Sequence, residues 1–190
     1  MSRLFWVRHG PTHAKGLVGW TDLPADLSDG AQLARLSAHL PAEALVLSSD
    51  LCRAVETASA ICGARRRLAH ERDLREIHFG AWEMQVWDTI PDQTHLRAFW
   101  DQPGEIRPPG GESWNALRAR ADRAVDHLIT AHPGRDLIIV AHFGVILTQV
   151  QRALRIGAHE AFAHKLDPLS VTELHLGVAG WHAEAINHLP

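Results

Sequence analysis

Two arginines and two histidines stand just beyond short apolar runs of this sequence, where strands would end. Arg8 and His9 follow the first run, Arg53 lies a few residues beyond the second, and His142 follows the most apolar one. Guanidinium groups form paired hydrogen bonds with phosphate and stay charged, and an imidazole can attack phosphorus to give a phosphohistidine. Gathered at one site, these side chains predict nucleophilic phosphoryl transfer in which arginines, rather than a metal ion, stabilise the transferring group.

The order of strands and helices decides whether these side chains meet. Short apolar runs predict buried strands, and amphipathic stretches opened by capping residues predict helices. Strands are predicted at 4–7, 44–47 and 137–141, with a weaker one at 68–70 and a tail pair at 170–176 and 181–187. Helices are predicted from 28 to 40, from the cap candidates 48–50 to 62, from 112 to 132 and from 142 to 155. Because ligands of such folds bind outside the carboxyl ends of the strands, we expect the four side chains at one rim.

The expected fold is α/β, a three-layer sandwich in which helices cover both faces of a mostly parallel central sheet. The tail pair is expected to add an antiparallel edge. Residues 73–111 are rich in proline, tryptophan and charge and lack a clean period, which indicates an insertion with short helices. The sequence does not determine the structure or the role of residues 84–110. No linker or repeat divides the chain, so residues 1–190 are expected to form a single domain.

Composition narrows the class of protein. The net charge of −3 gives no support for a nucleic-acid or anionic-membrane partner, and no run reaches the ~20 apolar residues of a membrane span. Cys52 and Cys62 lie on one predicted helix, so their α-carbons would be ~15 Å apart, too far for a disulfide. We therefore expect free thiols and a cytoplasmic protein.

Four ordered motifs resemble those of the histidine phosphatase superfamily, also called phosphoglycerate mutase-like. Two shorter pieces, Gly-Trp-Thr-Asp at 19–22 and Gly-Gly-Glu-Ser at 110–113, fit the same family. Together the matches extend over nearly the whole chain. The four motifs are Leu-Phe-Trp-Val-Arg-His-Gly-Pro-Thr at 4–12, Ser-Ser-Asp-Leu-Cys-Arg-Ala-Val-Glu-Thr-Ala at 48–58, Leu-Arg-Glu-Ile-His-Phe-Gly-Ala-Trp-Glu at 74–83 and Ile-Val-Ala-His-Phe-Gly at 139–144.

The resemblance implies a role for each matching residue. His9 matches the nucleophile that becomes phosphorylated. Arg8, Arg53 and His142 match the phosphate clamp, with His142 protonated or donating a hydrogen bond. Glu76 matches the general acid that protonates the leaving oxygen and then activates water. That role requires a carboxyl group with a raised pKa, which a desolvated pocket can provide.

Three positions depart from the family motifs, and a second carboxylate could take the place of Glu76 as the acid. Lys15 stands where asparagine is frequent and is a candidate phosphate contact. Phe143 replaces a frequent glycine after the second histidine and is a candidate wall of the substrate pocket. Asp50 stands where proline is common and is interpreted as a helix N-cap. Glu83 competes with Glu76 within one motif but is interpreted as a surface residue.

The superfamily contains mutases, phosphatases and members that only bind phosphorylated partners. This chain is short and its insertion is modest, so water can reach a phosphohistidine, which favours hydrolysis of a small phosphate ester without metal or cofactor. The motifs are most similar to those of α-ribazole phosphatases, which suggests α-ribazole 5′-phosphate as a substrate. Mutase-type transfer and a non-catalytic phosphate-binding module stay open, as does the oligomeric state.

Two further features have competing explanations. Four tryptophans in or beside the insertion would either pack it against the sheet, the favoured interpretation, or line a wall for a ring-shaped substrate: Trp82, Trp87, Trp100 and Trp114. The fourteen histidines would suggest a metal protein, but spacings such as His-x-x-His and Cys-x-x-Cys are missing, which disfavours it.

Overall fold

In the computed structural model, which describes residues 2–190, strands and helices alternate along most of the chain. The strands are β1 (Ser2–Arg8), β2 (Leu45–Ser48), β3 (Leu137–Ala141), β4 (Val171–Gly177) and β5 (Gly180–His188). The helices are α1 (Gly30–His39), α2 (Cys52–Cys62), α3 (Gln93–Asp101), α4 (Trp114–Ala131), α5 (Phe143–Leu154) and α6 (Ala158–Ala161).

All five strands form one sheet in the order β2-β3-β1-β4-β5. The β1–β3 and β2–β3 pairs are parallel, whereas the β1–β4 and β4–β5 pairs are antiparallel. The sheet is therefore mixed, and the expected mostly parallel sheet is wrong. The cause lies between α5 and β4, where the chain crosses back to the carboxyl end of β1: the Arg8 amide donates to Ser170 O at 3.2 Å. From that end β4 can only run opposite to β1, and the tail pair extends the antiparallel part.

Alternation along the strands divides the core between the two faces of the sheet. Trp6 and Ile139 face a cluster that includes residues of α4, α5 and the insertion. Val7 and Val140 face a second cluster that includes residues of α1 and α2. Helices thus pack on both faces because successive side chains of a buried strand point to opposite sides.

The weak strand predicted at 68–70 is wrong. Residue Arg67 alone forms a parallel bridge, to Val46, and the Leu68 amide donates to Val46 O at 2.8 Å. The next backbone hydrogen bond to β2 comes from the amide of Glu71, which donates to Ser48 O at 2.9 Å. The chain leaves the sheet edge between these two contacts, so no continuous ladder forms.

The N-terminus of α2 is capped differently from the sequence prediction. Its N-cap is Leu51, which has no side-chain acceptor, and the Cys52 amide donates instead to Asp22 Oδ1 at 2.7 Å. The capping role predicted for Asp50 is wrong, because its carboxylate pairs with Arg75 through two 2.7 Å bonds. A distant loop therefore supplies the cap, and this contact ties residues 19–22 to α2.

The insertion consists of short helical pieces, as the irregular pattern predicted. Three 3₁₀ turns at Arg72–Leu74, Gly80–Trp82 and Trp87–Thr89 accompany α3, whose N-cap Asp92 accepts from the His95 amide. Both cysteines are free, as expected. Within residues 2–190 no helix is long and apolar enough to cross a membrane.

Candidate active site

Four predicted side chains meet at the carboxyl end of β1 and β3. His9 directly follows β1, and its amide donates to Ala141 O at 3.1 Å, which carries the pairing of the two strands one residue further. The rings of His9 and His142 have centroids 5.1 Å apart. The Nε atom of Arg53, in the first turn of α2, lies 3.3 Å from His9 Nε2. Arg8 lines the same cleft, so the expected rim is present.

His9 is held as a neutral imidazole with its lone pair toward the arginine. Its Nδ1 lies 2.7 Å from Gly10 O, and a carbonyl oxygen only accepts, so Nδ1 carries the proton. The Arg53 Nε–H donates to Nε2, so this nitrogen carries the lone pair that a nucleophile uses. Burial, together with the charge of Arg53, lowers the pKa of His9 to about 3. The ring is thus neutral near pH 7, with its one proton on Nδ1, and needs no further base to expose a lone pair.

The two arginines of the site are cations without carboxylate partners. Arg53 is 1% exposed and donates to Gly19 O at 2.7 Å and Thr21 O at 3.0 Å. Arg8 donates to Leu166 O at 2.5 Å. Across residues 2–190, neither guanidinium has a carboxylate oxygen within 4.0 Å. Since a desolvated charge without a counter-ion is costly, this arrangement favours binding of an anion.

His142 is fully buried at the N-cap of α5. Its Nε2 lies 2.6 Å from Ser49 Oγ, and its Nδ1 is buried with no hydrogen-bond partner among residues 2–190. Burial and the charge of Arg53 hold its pKa well below the ordinary value. Of the two states expected from the sequence, protonated or neutral and donating, the protonated form is therefore disfavoured. A neutral ring can still donate one N–H, so its hydrogen bond to a phosphoryl oxygen stays a prediction.

Glu76 is a buried carboxyl group beside the start of α5. Its oxygens accept from the Gly144 amide at 3.0 Å and from the Ile77 amide at 2.9 Å. Burial raises its pKa and outweighs these hydrogen bonds, which act in the opposite direction. A Cβ atom at Gly144 would lie 2.5 Å from Glu76 Oε1, so glycine is required for this approach. A carboxyl group with a raised pKa suits a proton donor.

Arg120 positions the Glu76 segment and was missed from the sequence. It is 7% exposed on α4 and donates to the carbonyls of Asp73, Arg75 and Glu76 at 2.7, 2.6 and 2.8 Å. Glu112 accepts two further bonds from it at 2.7 and 2.8 Å. The available signal was an arginine within the apolar stripe of a helix, since such a charge must find internal partners.

Glu83 is a structural anchor, and its interpretation as a surface residue is wrong. It accepts from the amides of Gly19, Trp20, Thr21 and Phe79 at 2.8–3.2 Å, and from Thr21 Oγ1 at 2.7 Å. Burial raises its pKa, but these hydrogen bonds together outweigh burial and hold the pKa below its ordinary value. A carboxylate fixed in this way orients the 19–21 loop, whose carbonyls bind Arg53.

The remaining candidates lie at different distances from the cleft. Phe143 lines it, and the Arg8 guanidinium lies 5.4 Å from the centre of its ring. Lys15 is exposed, and its neighbours Ala14 and Gly16 line the cleft whereas Lys15 does not. A contact between Lys15 and phosphate stays a prediction, one that would require the side chain to fold over the opening.

The tryptophans divide between the two interpretations. Trp100 lines the cleft, and with Trp114 it also lines an apolar pocket that adjoins Glu76 and Phe143. Trp82 is 3% exposed and packs edge-on against Phe99, with ring centroids 5.6 Å apart. Packing therefore accounts for Trp82 and for Trp114, which is 2% exposed and donates to Gln151, while Trp100 forms part of a wall of the cleft.

Replacing Glu83 with glutamine tests its role as an anchor. An amide nitrogen cannot accept, so at least one N–H of the loop loses its partner, which costs about 1–3 kcal/mol in the free energy of unfolding. Affinity for inorganic phosphate should fall as well, because Arg53 loses its fixed carbonyls. Urea denaturation and calorimetric titration measure the two effects. Glu43→Gln, at an exposed position, is the matched control, and equal behaviour of both variants would contradict the assignment.

The chain is similar to known phosphatases along most of its length. The family model of the histidine phosphatase superfamily (branch 1) matches residues 4–189. The chain is 32% identical to the adenosylcobalamin/alpha-ribazole phosphatase of Salmonella typhimurium over 166 residues, which are 82% of this chain and 81% of that protein. It is 33% identical to the glucosyl-3-phosphoglycerate phosphatase of Mycobacterium tuberculosis over 163 residues, 76% of this chain and 71% of that protein.

The fold has a similar counterpart among solved structures. YhfR of Bacillus stearothermophilus superposes with a TM-score of 0.91 at 27% identity, over 100% of this chain and 98% of that one. The chain spans only 50% of the length of three mycobacterial curated relatives, to which it is 31% identical. With a family model matched over nearly its whole length and phosphatases among its relatives, the chain belongs to the histidine phosphatase superfamily (branch 1).

Proposed function

We propose that this chain is a phosphomonoesterase that hydrolyses a small phosphate ester through a phosphohistidine on His9, without a metal ion in the site. The observation that carries the proposal is the pair of guanidiniums without carboxylate partners beside a neutral imidazole whose Nε2 is unprotonated. Arg8 and Arg53 would neutralise the phosphoryl oxygens while Nε2 attacks phosphorus.

The reaction would proceed in two displacements. In the first, the His9 Nε2–P bond forms, the bond from phosphorus to the ester oxygen breaks, and Glu76 gives its proton to the departing oxygen. In the second, the Glu76 carboxylate takes a proton from water as the water oxygen attacks phosphorus. The N–P bond then breaks, and inorganic phosphate leaves with His9 and Glu76 restored to their starting states.

Hydrolysis is supported over simple phosphate binding by the environment of Glu76. A site that only binds an anion gains nothing from a buried carboxyl group with a raised pKa, since the group would repel the anion once ionised. Hydrolysis is favoured over mutase-type transfer by the modest insertion, which leaves the phosphohistidine within reach of water. The relatives named above include two phosphatases.

As the finer assignment, we propose α-ribazole 5′-phosphate as a substrate. The walls of the cleft around His9 include Phe79, Trp100 and Phe143, which would contact an aromatic base, and one relative is an adenosylcobalamin/alpha-ribazole phosphatase. The expected kcat/KM for α-ribazole 5′-phosphate is at least roughly tenfold above that for glucose 6-phosphate, as apolar contacts of this size provide. Phosphate release measured on both esters tests this assignment. Equal values of kcat/KM would show that the site is not specific for α-ribazole 5′-phosphate.

The nucleophile is tested with p-nitrophenyl phosphate in excess EDTA. His9→Ala should lower kcat by about three orders of magnitude or more, because no other side chain can form the covalent intermediate. The wild type and His127→Ala, a change at an exposed helix position, should keep full activity in EDTA. Activity in His9→Ala, or its loss from the wild type on chelation, would overturn the metal-free histidine mechanism.

The acid is tested by its dependence on leaving group and pH. Glu76→Gln should slow alkyl phosphates by ~10²–10⁴-fold and aryl phosphates less, because a stable leaving group needs no proton. In the wild type, kcat/KM should rise with pH through the His9 pKa of about 3, since the nucleophile must lose its proton. It should fall as pH rises through the raised pKa of Glu76, which must keep its proton.

In Glu76→Gln, kcat/KM should no longer fall at high pH, because the group whose deprotonation causes that fall is missing. Rates measured over the pH range with one alkyl and one aryl ester separate the two effects. If Glu76→Gln slowed phosphorylation by both esters equally, the assignment of the acid would be wrong.

A further inference from the structure

A cluster of potential metal ligands lies on the β4–β5 hairpin, away from the phosphate site. His175 on β4 and His182 on β5 are cross-strand partners. The register shifts between Glu173 and Leu174, which leaves Glu184 as an extra residue on β5. Bulges of this kind redirect a side chain and are designed features of a sheet. Here the side chain of Glu184 joins those of the two histidines.

The three side chains are close enough to share one ion. One potential ligand atom from each of His175, His182 and Glu184 lies within 4.8 Å of the others. The imidazole rings have centroids 5.0 Å apart and cross at 76°. Tetrahedral Zn²⁺ with bonds of about 2.0–2.1 Å needs ligand atoms about 3.4 Å apart. His182 and Glu184 are exposed, so small rotations of their side chains can bring the ligand atoms from within 4.8 Å to the shorter separation that Zn²⁺ needs.

Glu173 prepares His175 for this role. His175 Nε2 lies 2.7 Å from Glu173 Oε1, and a carboxylate only accepts, so Nε2 carries the proton and Nδ1 keeps its lone pair. A carboxylate on the second ring nitrogen is the usual partner of a metal-bound histidine, where it fixes the tautomer and strengthens the ligand. Glu173 thus orients the histidine without itself being part of the three-ligand group.

The surroundings favour a cation. The cluster and its orienting residue carry two carboxylates, and the neighbouring cation, Arg3, is engaged by Asp136. Arg3 is the Cα partner of His175 on β1. Six strand positions separate Arg3 from His9, which at about 3.3 Å per residue is ~20 Å. An ion bound at the hairpin would therefore not reach a phosphate held at the other end of β1.

We propose that His175, His182 and Glu184 form a binding site for one divalent transition-metal ion of the Zn²⁺ class. Two imidazoles and one carboxylate suit Zn²⁺, whereas Mg²⁺ and Ca²⁺ prefer oxygen ligands alone. The ion would join the last two strands at the edge of the sheet, and its effect would be on the stability of the hairpin. The proposal does not depend on the proposed phosphatase reaction.

The experiment is calorimetric titration of Zn²⁺ into the chelator-treated full chain. We expect one Zn²⁺ per chain, with affinity lowered at least roughly tenfold in His182→Gln and in Glu184→Gln, as loss of a ligand or its partner does. His127→Ala removes an exposed histidine outside the cluster and should bind as the wild type does. His9→Ala should also retain the site, which separates the hairpin from the buried histidine pair.

A second measurement uses the thermal unfolding midpoint. Saturating Zn²⁺ should raise it in the wild type and not in His182→Gln, and EDTA should reverse the rise, since an ion bound only to the folded state stabilises that state. Mg²⁺ at the same concentration should have no effect. The proposal is overturned if the wild type binds no Zn²⁺, if the two hairpin variants bind it as well as His127→Ala does, or if His9→Ala abolishes binding.

Discussion

The Arg53 guanidinium lies inside the protein and donates to two backbone carbonyls in place of a carboxylate. A buried charge in that position is stable only if both carbonyl oxygens keep accepting its hydrogen bonds. Each carbonyl offers only the negative end of a dipole and not a full negative charge. Glu83 fixes the loop that carries those carbonyls, and Thr57 fixes the backbone of the arginine itself through a 2.7 Å bond. The carbonyls do not neutralise the positive charge of Arg53, so an anion can. Anion binding therefore depends on the contacts of Glu83 and Thr57 that hold the arginine in place.

Three glutamates from neighbouring parts of the chain take different roles because their surroundings differ. Glu76 is buried and accepts only amide bonds, so its proton is retained more strongly than in water. Glu83 accepts five hydrogen bonds and stays ionised. Glu112 pairs with Arg120, which in turn holds the backbone of Glu76. The proposed proton donor, the loop anchor and the ion-pair partner thus differ in environment and not in residue type.

The two ends of β1 offer different environments for the two kinds of chemistry proposed above. At its carboxyl end, His9 is buried and neutral beside arginines, which repel a metal cation. At its amino end the neighbouring hairpin exposes His182 and Glu184 beside carboxylates, and the neighbouring cation Arg3 is already paired. The proposed metal-free phosphoryl transfer and the proposed metal-binding hairpin are therefore compatible in one sheet, because about 20 Å of strand separates the opposed charge environments.

The sequence by itself determined the strands and helices that carry the site, and with them the meeting of His9, Arg53 and His142, because apolar runs and helical periods act over short distances. The sequence also predicted the antiparallel tail pair, but tertiary structure alone decided that β4 pairs antiparallel with β1, which depends on where the chain re-enters after α5. It also decided the roles of Glu83 and Arg120, whose partners are backbone groups far away in sequence. Tertiary structure also decided the protonation states of His9, Glu76 and His142, because burial is a property of the packed molecule and not of any segment.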